Sequence, residues 1–154
     1  MILQKTNLIP IFDRNFKNIL MCKRINPPFK NMYNLICGKV EESESIKSSV
    51  YREMLEETPL TCDDVILHPI MDITYYQNKQ QIYVYSGILN KNYIPPANYE
   101  QPLYWIGLQS NFNDLDIFAG NGNLYHILKQ SSYILKGVWV MARKVKLVIF
   151  DLDN

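Results

Sequence analysis

The chain is expected to fold as an α/β sandwich, with a mixed β-sheet held between helices (α/β/α). Two observations predict this. Short runs rich in β-branched and aromatic residues recur along the sequence. Among them stands one stretch free of glycine and proline, Ile46–Glu57, and a second helical stretch follows near residue 125.

Residues 8–12 and 19–24 read as paired strands, with DRNFK as turn material between them, so the chain opens on a hairpin. Residues 25–33, containing Pro27 and Pro28, form a loop, after which 34–36 and 39–40 supply short extended pieces around Gly38. The main helix follows. Ser43 or Ser45 can accept a backbone N–H at its start, and Pro59 forbids its continuation. The segments DDVILHPIMDITYY and QIYVYSGIL make another hairpin across the polar connector QNKQ. A long loop over 91–101, with Pro95, Pro96 and Pro102 in or beside it, leads into a strand over 103–108. A second helix is expected over about 123–130 and an extended segment over 133–139.

With 154 residues, 47 % hydrophobic content and a formal net charge of +1, the chain suits one ordinary core. This balance gives no electrostatic case for nucleic acid or membrane binding. One domain is expected over 1–140, with 141–154 as a C-terminal strand or tail. The apolar stretches are too short and interrupted to span a bilayer, and no signal-peptide pattern opens the chain, so a cytoplasmic protein is expected. Cys22, Cys37 and Cys62 are odd in number and widely spaced. They read as reduced core thiols rather than a disulfide framework or a zinc site, and His68 and His126 as structural or surface groups.

The chemistry concentrates in GKVEESESIKSSVYREMLEETPL, residues 38–60. Glu53, Glu56 and Glu57 stand at i, i+3 and i+4 of the expected helix, where like charges repel. Such crowding is tolerated when a cation uses it. Hard oxygen ligands suit Mg²⁺ or Mn²⁺, and Mg²⁺ takes one or two carboxylates, waters and the phosphates of a substrate.

In this segment the chain resembles the Nudix hydrolase family, whose box reads G-x5-E-x7-R-E-U-x-E-E-x-G-U, with U apolar. Gly38, Glu44, Arg52, Glu53, Met54, Glu56, Glu57 and Leu60 fall on the pattern, and Pro59 stands where the family usually has glycine. Cys37 and Ser43 also occupy places where relatives frequently have glycine. The resemblance covers roughly residues 5–135 and implies the α/β/α Nudix fold. It further implies metal-assisted hydrolysis of a nucleoside diphosphate linked to another group. By this resemblance Glu53, Glu56 and Glu57 would hold the metal together with the carbonyl of Gly38. Either Glu53 or Glu56 could instead be the general base, and Glu44 and Arg52 would support the carboxylates.

Glu100, in YEQPLYW, is the candidate for a further metal carboxylate from outside the box; its other reading is a solvated loop residue. Arg24, at a strand end, is a candidate for a phosphate or base, or else an exposed arginine. Asn121 and Asn123, in FAGNGNLYHIL, either read a purine edge or serve turn and capping roles. Tyr75, Tyr76, Tyr83 and Tyr85 offer stacking surface or cross-strand pairs. The segments MDITYY and FAGNGNLYHIL resemble MutT-type members, which makes 8-oxo-dGTP the expected substrate, with ADP-ribose or a dinucleotide as the alternative. A catalytically weak nucleotide-binding module is a further reading. Family analogy adds a possible homodimer. KVKLVIFDLDN, residues 144–154, resembles the opening strand of haloacid-dehalogenase-type phosphatases, or is a terminal strand with polar ends.

Overall fold

A computed structural model describes residues 1–97 and 101–143, with side chains placed through residue 136. The expected strand over 144–154 and Glu100 lie outside the described residues. Seven strands, β1 (Gln4–Ile9), β2 (Ile11–Phe12), β3 (Asn18–Lys23), β4 (Tyr33–Lys39), β5 (His68–Tyr75), β6 (Gln80–Ile88) and β7 (Leu103–Gly107), form a mixed sheet. Two helices complete the described elements, α1 (Ile46–Glu57) and α2 (Leu124–Arg143).

The first strand breaks where the sequence reading had it continuous. Pro10 has no N–H to give to a ladder, and its carbonyl instead accepts from Ser86 Oγ (2.6 Å) and Gly87 N (3.3 Å). The break lets one edge of the strand serve two partners. β1 pairs antiparallel with β4, β2 pairs antiparallel with β3, and β6 runs parallel to both β1 and β2. The expected hairpins appear as β2–β3 and β5–β6, and β7 adds to β3. The two extended pieces expected around Gly38 are instead one strand, because β4 passes its N-terminal half to β3 and its C-terminal half to β1 without interruption.

Alternation along the strands divides the core. Leu20, Cys22, Ile11 and Ile36 face α1 and pack with Val50, Met54 and Leu60, whereas Ile19, Met21, Phe12 and Leu35 face α2 and pack with Leu124, Ile127 and Leu128. The segment 133–139, expected to be extended, is helical. α2 continues through it to Arg143, and Ser131 sits inside the helix with its hydroxyl returned to the Ile127 carbonyl (2.8 Å). Residues 133–135, Tyr-Ile-Leu, have good strand propensity; that preference is overridden where the helix lays Leu128 and Leu135 on the core. Of the thiols, Cys22 is buried and Cys37 half-buried as core groups, but Cys62 is exposed in the turn after α1; all three are free. No helix among the described residues is long and apolar enough to cross a membrane.

α1 begins as the sequence suggested, with Ser45 rather than Ser43 as cap, its hydroxyl accepting from Ser48 N at 3.1 Å. It ends without a left-handed residue. Thr58 turns extended (φ −139°, ψ 161°), which is the conformation that a following proline favours. Its N–H and its hydroxyl both donate to the Met54 carbonyl (2.8 and 2.5 Å), and the same hydroxyl accepts from Leu60 N at 3.1 Å. Thr58→Val, which leaves the buried Leu60 N–H without its acceptor, is expected to lower unfolding free energy by about 1–3 kcal/mol in urea titration. Pro59→Gly is expected to lose about 0.4–1 kcal/mol through greater freedom of the unfolded chain. A more stable glycine variant would contradict this account of the helix end.

Candidate active site

Glu53, Glu56 and Glu57 occupy the last turn and a half of α1, and the last turn of the helix contains no basic residue. Negative charge is disfavoured at a helix C-terminus as well as beside other carboxylates. Arg52 answers both. Its Nε donates to Glu44 Oε2 (2.9 Å), and its Nη2 donates to Glu44 Oε1 (2.6 Å) and to the Lys39 carbonyl (2.9 Å). Its Nη1 donates to Glu53 Oε1 (3.0 Å) and to Glu56 Oε2 (3.1 Å). A guanidinium has five N–H groups, and each is matched by an acceptor here. Glu44 Oε1 also accepts from Glu41 N (2.8 Å), so the loop before the helix is fastened to the same centre.

The charges respond accordingly. The bidentate bond from Arg52 holds Glu44 far below the usual carboxylate range, at about 2, and holds the Arg52 proton more tightly than usual in return. Glu53 moves the other way. Burial raises its pKa, Arg52 offsets this in part, and the neighbouring Glu56 and Glu44 charges push further upward. Burial likewise pushes the Cys37 thiol, beside this centre, up to about 11, so it is no nucleophile at neutral pH.

Gly38 sits where the Glu53 carboxyl crosses β4. A β-carbon there would overlap the Glu53 carboxyl group. The glycine of the box is therefore a seat for Glu53, whose side chain is only 10 % exposed.

From Gly38 a cleft of about 520 Å³ extends across β1, β4, β5 and β6 to the turn before α2. Asn121 and Asn123, the sequence candidates for reading a purine edge, line it on a turn whose Gly120, Asn121 and Gly122 all have positive φ (98°, 55° and 93°). Asn123 also begins α2, its carbonyl accepting from Ile127 N, so the turn role and the cleft-lining role coexist. Tyr75 alone of the four tyrosines lines the cleft; Tyr85 packs on the α1-side core. Arg24 is not among the described residues of the lining, and its Nε donates to the Pro28 carbonyl at 2.7 Å. Sequence reasoning missed Asn34, Asn78, Gln80 and Asn7 in the cleft wall. Asn7 and Asn34 lie on strands, where their signal was polarity beside apolar residues, whereas Asn78 and Gln80 belong to the polar connector QNKQ of the second hairpin.

Among the described residues no three His, Cys, Asp or Glu side chains converge as a metal cage. Arg52 takes one oxygen each from Glu53 and Glu56 and leaves the second. An all-oxygen set of this kind fits a hard divalent cation that keeps waters and shares a substrate phosphate, rather than one enclosed by protein.

Gly38→Ala is expected to displace Glu53 and weaken Mn²⁺ binding about 10–100-fold in an equilibrium titration; unchanged affinity would show that Glu53 tolerates the intruding methyl group. Glu44→Gln addresses the clamp. Because the folded pKa of Glu44 is depressed, its stabilisation is present above pH 4.5 and fades as pH falls toward about 2. Wild type should therefore be the more stable at pH 7, with the difference vanishing near pH 2 in denaturant titrations. A constant difference across that range would rule out the charge as its source.

A match to the NUDIX domain spans residues 3–121. No curated protein matches the chain by sequence. Among solved structures, the NUDIX domain of Shewanella oneidensis NrtR complexed with ADP ribose is similar at TM-score 0.66 and 15 % identity, over 86 % of this chain and 88 % of that one. The Ap4A hydrolase of C. elegans is similar at TM-score 0.64 and 17 % identity, over 86 % and 98 %. MutT of Aliivibrio salmonicida or Vibrio cholerae is similar at TM-score 0.61 and 18 % identity, over 84 % and 97 %. At these identities the likeness is one of fold, but the domain match covers most of the chain together with the box that Gly38, Arg52 and the glutamates build, and the chain belongs to the Nudix hydrolase family.

Proposed function

We propose that the protein is a Mg²⁺-dependent pyrophosphohydrolase, with Mn²⁺ able to substitute, that cleaves a nucleoside diphosphate-linked substrate. A nucleoside triphosphate such as 8-oxo-dGTP, cut to monophosphate and pyrophosphate, is the leading substrate. The observation that carries this reading is the Glu53 carboxylate, clamped by Arg52 and seated on Gly38, the residue that also lines a cleft walled by Asn34, Asn121 and Asn123.

Nudix hydrolases generally use divalent metal ions. Bound here, such an ion would neutralise charge developing on the phosphates and activate water for attack on phosphorus. Glu53, Glu56 and Glu57 would hold it, with the Gly38 carbonyl, and Glu100 is a candidate fifth contributor. Arg52 keeps Glu53 and Glu56 apart from one another's charge and fixed in direction. Glu53 or Glu56, instead of holding the ion, is the candidate for the group that takes the proton from attacking water. At the other end of the cleft, amide side chains can donate and accept, as the edge of a purine requires. Arg24 is retained as a candidate phosphate contact from beyond the lining.

ADP-ribose or a dinucleotide is the second substrate reading. It is favoured by the likeness to a NUDIX domain complexed with ADP ribose and to an Ap4A hydrolase. A panel of nucleoside triphosphates, 8-oxo-dGTP, ADP-ribose and dinucleotides, incubated with Mg²⁺ and resolved by chromatography, separates these readings. Cleavage of one compound, lost at least about 100-fold in Glu57→Gln, is the expected result. Nucleotide binding without turnover of any member would point instead to a regulatory module.

A further inference from the structure

Asn7 on β1 lies directly opposite Gly38, is 1 % exposed and is among the residues lining the cleft. Chemistry fixes which way its amide faces. Ser49 Oγ donates its one proton to the Ile46 carbonyl (2.7 Å), so toward Asn7 it can only accept. The atom bonded to Ser49 at 3.1 Å is therefore Nδ2. Asn7 Oδ1 consequently faces elsewhere. It is buried, and no donor among the described residues reaches it.

A buried amide oxygen left without a donor costs about 1–3 kcal/mol, and native folds seldom keep one unless water or a ligand completes it. The neighbourhood indicates what this one serves. Residues opposed on antiparallel strands direct their side chains to one face, with β-carbon positions about 4.5–5.5 Å apart. Opposite Asn7, that position belongs to Gly38 and is filled by the Glu53 carboxyl. Ser49 and Glu53 are also one turn apart on the same face of α1. Asn7 and the Glu53 carboxyl group thus share the space beneath α1. A buried water needs about three polar partners, and the Glu53 oxygen that Arg52 leaves supplies a second acceptor.

We propose that Asn7 is a positioning residue for Glu53. Its Oδ1 holds a buried water that bonds the Glu53 oxygen not taken by Arg52, fixing the carboxylate from the side opposite the guanidinium. The proposal rests on the reading of Glu53 as a group that serves a divalent cation.

Mn²⁺ binding to the full chain, followed by electron paramagnetic resonance, tests it alongside thermal melting. Asn7→Leu removes the oxygen while keeping the shape, and is expected to weaken Mn²⁺ binding about 10-fold or more with no fall in melting temperature. Ser49→Ala removes only the partner of Nδ2, and its Mn²⁺ affinity is expected to stay within about twofold of wild type, below the range seen when a supporting partner is lost. Unchanged affinity in Asn7→Leu, or equal losses in both variants, overturns the proposal. Absence of Mn²⁺ binding by wild type removes the cation reading and this proposal with it, so the two failures are distinguishable. A crystal structure of the wild-type protein gives a check that needs no variant. A water within about 2.7–3.2 Å of both Asn7 Oδ1 and the Glu53 carboxylate is expected, and a protein N–H in that place overturns the assignment.

Discussion

The guanidinium of Arg52 is the point on which the site hangs. Three separate pieces of chain meet at it: the loop that carries Glu44, the end of β4 through the Lys39 carbonyl, and the helix that carries Glu53 and Glu56. Without a fixed cation the helix end would gather carboxylates against one another and against its own dipole. Lysine could not replace it, because a single ammonium offers three donors and cannot lie flat between two carboxylates while also reaching a carbonyl. The arrangement also explains why the box is long. The arginine and Glu44 are separated by a capped helix start, and the Glu44–Arg52 bond closes that loop onto the helix.

The sheet prepares the place where this happens. The break at Pro10 divides one strand into two that take different neighbours, so β4 leaves β3 and continues along β1. Gly38 therefore comes to rest beside Asn7 under α1, and the strand carries no side chain where Glu53 must pass. Backbone course, a missing β-carbon and a buried carboxylate form one unit, in which the fold supplies the cavity and the helix supplies the charge.

Much of this was legible in the sequence because the box has fixed charges at fixed spacing. Helix α1 and its proline stop could be placed from Pro59 and the absence of glycine and proline over 46–57, while its cap was narrowed only to Ser43 or Ser45. The reason for Gly38 could not, since a close approach between strand and helix leaves no trace in either segment alone. The length of α2 was misjudged because 133–139 is apolar and partly β-branched, and only its packing against the sheet decides for helix. Of the six described amide side chains of the cleft, two were named from sequence. Asn121 and Asn123 stand out in a glycine-rich turn, whereas Asn7 and Asn34 lie in strands whose faces become distinct only when the partners are known.

The cleft has two walls of unlike construction. One is Gly38 on β4, against which the Glu53 carboxyl and its Arg52 clamp are packed, so that a substitution there disturbs several groups at once. The other is the short turn through Gly120, Asn121 and Gly122, held by few bonds of its own and contributing side chains singly. Changes in the second wall leave the first untouched. On the proposed function, descendants of this chain would drift in what they recognise while conserving what they do to it, and ligand preference would diverge faster among close relatives than reaction chemistry.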